Sequence, residues 1–233
     1  MKRLKVLVAF EESQRVCSAF RELGHEAFSS DIKAPSGGHE EWHVQGDVRP
    51  LLRGARDFTT MDGTSHHVER FDLIVAHPPC TYFSVAGACH LFRSGIINLQ
   101  RYNEGLPFRD LFFDALNSAS DHVLVENPTP MKIWELPPCT QVIQPWQFGD
   151  HYTKRTCLWL KGLPNLMPEV LEKPTDCKPW VNAGSFDYLK RRIKSVGVAN
   201  SAEERSKTFP GIARAIAKQC SYFLLGDDEA DNK

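Results

Sequence analysis

Two short apolar runs in this chain stop in the same way, and the way they stop limits what the chain can fold into. Leu73, Ile74, Val75 and Ala76 lead into Pro78, Pro79 and Cys80, and the run HVLV at 122–125 leads into Glu126, Asn127 and Pro128. Unbroken aliphatic runs of this length fit strands covered on both faces, as in a parallel sheet. Proline removes a backbone donor and fixes φ, so each strand must leave the sheet there. In an open α/β sheet, ligands bind outside the carboxyl ends of the strands. Two neighbouring strands therefore deliver a thiol, Cys80, and a carboxylate, Glu126, to one rim. Because a free cysteine taken alone is more often a small buried hydrophobe, the pairing carries the argument.

The rest of the chain supplies the other parts of such a sheet. LKVLVA at 4–9 reads as a first strand, and SQRVCSAFRELGHE as a helix with Val16, Cys17, Phe20 and Leu23 on one face and Gly24 as its stop. AFSSDI forms a second strand ending in Asp31, a Gly- and Ser-rich loop follows, and HVQGDV forms a third with Asp47 at its end. Residues 54–70 read as a hairpin insertion with Asp62-Gly63 at its tip, whose His66 and His67 are expected to be solvated rather than metal-bound. NEGLPFRDLFFDALNSA is an amphipathic helix, TCLWL a further strand, and GIARAIAKQCSYFLL a closing helix. Between them, 164–200 is irregular and carries the basic cluster Lys190, Arg191, Arg192 and Lys194. The acidic end, 226–233, is expected to be disordered. This gives one α/β domain over 1–225.

Composition bounds the alternatives. The chain has 233 residues, 42% of them hydrophobic, enough for a proper core. A formal net charge of −1 does not by itself announce a nucleic-acid partner. Seven cysteines in no regular framework, with neither a secretory segment nor an 18-residue apolar stretch, predict a reduced, cytoplasmic protein without a membrane partner. Cys139, Cys157 and Cys177 lack paired C-x-x-C spacing, so no metal is assigned. The motif G-x-G-x-x-G is absent, which argues against a dinucleotide dehydrogenase.

In order along the chain, PPC at 78–80, ENP at 126–128, FG at 148–149 with CLWL after it, and TFPGIARAIAKQ near the end resemble the DNA cytosine-5 methyltransferases, in particular their short, phage-associated group. The likeness runs from Val6 to about Leu225. It implies a Rossmann-like class I methyltransferase fold with a mostly parallel, doubly wound sheet, S-adenosylmethionine as cofactor and DNA as partner, single- or double-stranded, in the cytoplasm of a bacterial host. It also implies that Cys80 is the nucleophile, that Glu126 with Asn127 assists at the base, and that Asp31, Asp47, Phe10, Glu11 and Pro78 line the cofactor site. The residue types suit that chemistry independently. A thiolate adding at C6 of cytosine activates C5, dividing one hard step into easier ones. An acid at N3 needs a raised pKa, which burial of Glu126 is expected to supply.

Three departures from the family pattern shape the expectations. The glycine-rich turn after the first strand reads Phe10-Glu11-Glu12-Ser13-Gln14: Glu11 pairs with the amino group of the cofactor's methionine moiety, or the pocket takes a modified cofactor, or it is empty. Asp31 lies about 20 residues after Phe10, a spacing suited to a ribose diol, although strand-end carboxylates also form turns and helix caps. The arginines expected after Phe148-Gly149 fall on Lys154 and Thr156, with Arg155 between them, so Lys154, Arg155 or both take that part. The third departure is size: only the short 164–200 segment stands where larger members carry a target-recognition domain, and Lys190, Arg191 and Arg192 are its candidate DNA contacts. RNA or a free pyrimidine nucleotide as substrate, and a catalytically silent DNA-binding role, are the rival readings.

Overall fold

The computed structural model describes residues 2–181, 183–185, 193–195, 197–199 and 201–226. Its frame is a seven-stranded sheet built from β1 (Lys5–Ala9), β2 (Glu26–Asp31), β3 (His43–Gln45), β4 (Leu73–Ala76), β5 (Val123–Pro128), β6 (Gln141–Ile143) and β7 (Thr156–Lys161), in the order β6-β7-β5-β4-β1-β2-β3. β1 pairs in parallel with both β2 and β4, β2 with β3, and β4 with β5. β7 alone runs against its neighbours, β5 and β6. The chain winds outward from β1 to β3, then returns to lay β4 on the other side of β1. That reversal is the topological switch point at which open α/β sheets bind ligands.

Burial on both faces explains the apolar runs. In β1, Val6 and Val8 face one core while Leu7 and Ala9 face the other, which is the period-two alternation of a strand with two covered faces. The first core is closed by α1 (Arg15–Glu22) and by a long closing helix, Pro210–Leu225, through Val16, Cys17, Phe20, Ile212, Ala213 and Ile216. The second holds Phe112 and Ala115 of α2 (Leu99–Leu116), with Phe28, Trp134 and Trp159. The closing helix is α3. No helix among the described residues is long and apolar enough to cross a membrane.

Several boundaries differ from those read in the sequence. β3 ends at Gln45, because Gly46 takes φ 145° and turns the chain before Asp47. α2 starts earlier than expected, at Leu99, where the Asn98 side chain accepts from the Arg101 amide, and it tolerates Pro107 in its interior. Residues 57–67 do form the expected hairpin. His66 packs against Phe28 and Phe58 rather than lying free in solvent, whereas His67 is exposed and bonds Asp57 and Glu69. The segment read as irregular holds short ladders: Tyr152–Thr153 with Lys178–Pro179, and Ala183–Ser185 with Ile193–Ser195. The cluster at Lys190, Arg191 and Arg192 and the acidic end from 227 onward lie outside the described residues.

α3 is tightly held at its start. The Gly211 amide donates to Asp150 Oδ2 at 2.9 Å, and a Cβ at Gly211 would overlap the Phe148 carbonyl. Gly211→Ala is therefore expected to destabilise the protein by about 1–3 kcal/mol, the usual cost of overpacking, read as a lower urea midpoint at unchanged slope.

Candidate active site

The carboxyl ends of β4 and β5 meet side by side. Ala76 pairs with Val125 in register, so the residues that follow, His77 and Glu126, emerge as neighbours. The His77 amide still donates to the Ala9 carbonyl at 3.0 Å, after which Pro78 and Pro79 end the pairing. Asn127, 1% exposed, donates from Nδ2 to the Pro78 carbonyl at 2.9 Å. That bond fixes the loop that carries Cys80 to the strand that carries Glu126. Beyond the cysteine, the Phe83 and Ser84 amides donate to the Cys80 carbonyl, and Val85 and Met131 tie the loop to the chain leaving β5.

β7 reaches the same rim from the opposite direction. Because it is antiparallel, its amino-terminal flank arrives where its neighbours' carboxyl ends lie, and Thr156 stands beside Pro128. This brings Lys154 and Arg155 to the rim. Lys154 Nζ donates to the Arg205 carbonyl at 3.0 Å, and its charge acts on both Cys80 and Glu126. Arg155 is exposed and donates from Nε to Thr129 Oγ1 at 3.1 Å. The structure thus brings Cys80, Glu126, Asn127 and Lys154 together, with Arg155 at the edge.

The electrostatics correct one expectation. Burial pushes the Glu126 carboxyl up, but the hydrogen bond from His77 and the positive charge of Lys154 outweigh it, and the group lies below its ordinary value. His77 Nδ1 stands 3.1 Å from Glu126 Oε2, with both side chains almost fully enclosed. Cys80 is half-buried, and its thiol is pushed up first by burial and then by the negative charge of Glu126, with Lys154 opposing. At rest the rim holds a carboxylate and a protonated thiol. His77 was not among the residues singled out from the sequence. The only signal for it was its place directly after an apolar strand, and the register that makes it Glu126's neighbour is not local information.

At the switch point, the β1–α1 turn is used differently from the sequence reading. Phe10 and Gln14 sit at φ 59° and 56°, the left-handed region that favours glycine. Glu11 is 3% exposed and turned inward, where its two oxygens accept from the Val16 and Cys17 amides at 2.6 and 3.1 Å. It satisfies donors that the first turn of a helix otherwise leaves open, so its carboxylate is not turned toward a ligand. Burial pushes this carboxyl up, opposed by the neighbouring His77 ring, by those two amides and by Arg15. The next residue, Glu12, keeps a buried oxygen, Oε2, with no hydrogen-bond partner, while its Oε1 lies 3.9 Å from Lys207 Nζ. Asp31 closes β2 and accepts from the Lys33 amide at 2.9 Å. Asp47 spends both oxygens on Arg49, and Pro78 is buried with its carbonyl held by Asn127. No group of three or more metal-ligating side chains occurs among the described residues.

Sheet order defines an α/β protein with an open, mostly parallel, Rossmann-like sheet, with the single antiparallel strand inserted near one edge. No protein-family model and no curated protein matches the chain. Among solved structures, it is similar to a candidate DNA modification methyltransferase encoded within an E. coli prophage, at 15% identity and a TM-score of 0.44 over 74% of this chain and 53% of that one. It is also similar to the Entamoeba histolytica methyltransferase EhMeth, at 13% identity and 0.45 over 75% and 58%, and to the S. pombe Dnmt2 methyltransferase, at 13% and 0.39 over 70% and 50%. The chain spans about half the length of these structures, and the likeness extends to no residue's role.

The charge pattern of the rim sets how Cys80 reacts. Its rate of alkylation should rise with pH with a midpoint above that of a free cysteine, and Glu126→Gln should lower the midpoint by removing the adjacent negative charge. Peptide-resolved mass spectrometry after timed iodoacetamide treatment measures both.

Proposed function

We propose that this protein transfers a methyl group from S-adenosylmethionine to C5 of cytosine in DNA, with Cys80 as the nucleophile. The observation that carries the reading is the juxtaposition of Cys80 and Glu126 on adjacent strand ends, locked together by the bond from Asn127 to Pro78. Cys80 Sγ bonds to C6 as its thiol proton leaves, the C5=C6 electron pair moves into the C4–C5 bond and the C4=N3 pair onto N3, and N3 takes up that proton by way of Glu126. When bound, the donor supplies an electrophilic methyl group. Loss of the C5 proton to water then lets the Sγ–C6 bond break, and the proton held at N3 returns to the sulfur, which restores both the ring and the thiol. Since C5 and C6 are inaccessible in a stacked duplex, the target base is flipped out or already single-stranded.

The residues at the switch point fit such a donor in part. Asp31 at the end of β2 suits a ribose diol. Glu12, with its unpartnered buried oxygen, is the acceptor for an ammonium group, a part that the sequence reading gave to Glu11. Phe10 offers an aromatic face on the turn, Glu11 acts behind it by holding the start of α1, and Pro78 stiffens the adjoining loop. Asp47 would have to leave Arg49 to contribute. Lys154 and Arg155 serve the DNA phosphate or the base, as charges rather than as a matched pair of planar forks, and Lys190, Arg191 and Arg192 serve the DNA backbone.

Nucleosides digested from the DNA of cells expressing the protein should contain a cytidine heavier by one methyl group, and Cys80→Ser should abolish it. In purified protein, Glu126→Gln should slow transfer by about 10²–10⁴-fold, the range for lost acid–base assistance. An unmodified nucleoside pool with the intact cysteine would overturn the reading, and a different added mass would reassign the donor.

A further inference from the structure

His77 is the enclosed side chain at the rim that the proposed chemistry leaves unused. It is 8% exposed, its Nδ1 lies 3.1 Å from Glu126 Oε2, and its Nε2 is buried without a hydrogen-bond partner. Leaving a buried polar atom unpaired costs the whole of its lost hydration. A side chain placed there for packing alone would carry no such atom, and Leu or Met would fill the same space at less cost. Glu126, for its part, has Oε2 committed to the ring, so Oε1 is the oxygen left to face whatever occupies the rim.

Building on the cytosine reading above, we propose that His77 is the positioning residue of Glu126: by donating from Nδ1 to Oε2 it fixes the carboxyl plane and presents Oε1 to the N3 edge of the pyrimidine. Glu126 on β5 and Glu11 on the β1–α1 turn are the two carboxyl groups that interact with the ring, the first in direct hydrogen bond. The groups that act on those carboxyls in turn are Arg15 at the start of α1, Lys154 before β7 and Cys80 on His77's own loop. The contact with a carboxylate oxygen calls for the ring's proton on Nδ1, and Nε2 is left buried without a partner.

The test separates hydrogen bonding from mere bulk. Asparagine places its amide donor near the position of Nδ1, whereas glutamine places it nearer that of Nε2. His77→Asn should therefore retain turnover within a few fold, while His77→Gln and His77→Ala should lose about 10²-fold in kcat, the cost of misplacing a reacting group by ~1 Å, with KM little changed. Independently of turnover, carbon-13 NMR of side-chain-labelled glutamate, assigned with Glu126→Gln, should show Glu126 titrating below the ordinary glutamate range in the native protein and in His77→Asn, and higher in His77→Ala. Long-range proton–nitrogen NMR should find the ring proton on Nδ1. An unmoved Glu126 titration in His77→Ala, or a proton on Nε2 alone, would overturn the assignment of His77 even if methylation is found. The expected titration shift without any methylated product would leave His77 as Glu126's partner and overturn the cytosine reading instead.

Discussion

Parallel pairing between β4 and β5, ended on the β4 side by Pro78 and Pro79, is the constraint on which the rest of the rim depends. Pairing of Ala76 with Val125 forces the next residues of each strand together, and Pro78 prevents β4 from running on beside β5, whose other edge stays paired with β7 as far as Pro128. A hydrogen-bonded core strand cannot accept proline without losing a bond, so the sheet has to open at this point. The backbone carbonyl that the opening frees at Pro78 is taken by Asn127. A local irregularity of the sheet thereby becomes a rigid support for Cys80, held by one buried side chain rather than by the flexible loop itself.

Much of this frame was legible in the sequence because its signals are local. An apolar run followed by proline identifies a strand and its end, and helical spacing with Gly24 identifies α1. Cys80 and Glu126 were singled out by that reasoning, since each follows the end of such a run. His77 was not, because its importance lies in a register between strands separated by some 45 residues of chain, and a sequence carries no mark of register. The antiparallel sense of β7, which turns Lys154 toward the rim rather than away from it, is hidden for the same reason. Glu11 and Glu12 show a subtler limit. Adjacent and chemically identical, they part only because left-handed turns at Phe10 and Gln14 send Glu11 inward to the amides of α1 and leave an oxygen of Glu12 unpartnered.

The charge arrangement follows from burial more than from composition. A carboxylate enclosed as Glu126 is stays ionised only where partners compensate its lost hydration, and His77 and Lys154 do so from two sides. The same negative charge acts on Cys80, whose thiol is held protonated. The rim at rest thus has the reverse of the protonation that addition to a pyrimidine requires, which is a sulfur without its proton and an N3 that gains one. On the proposed reading, the exchange waits for the base itself. A ring nitrogen brought against Oε1 supplies a second proton acceptor beside the carboxylate, and the charge drawn onto it as sulfur bonds to C6 makes that nitrogen more basic as the reaction proceeds. Until then, a half-buried thiol beside a carboxylate is a poor nucleophile toward other electrophiles, the methyl donor included. On that reading, the charge that Glu126 keeps through its pairing adds to burial in holding Cys80 unreactive until the base arrives.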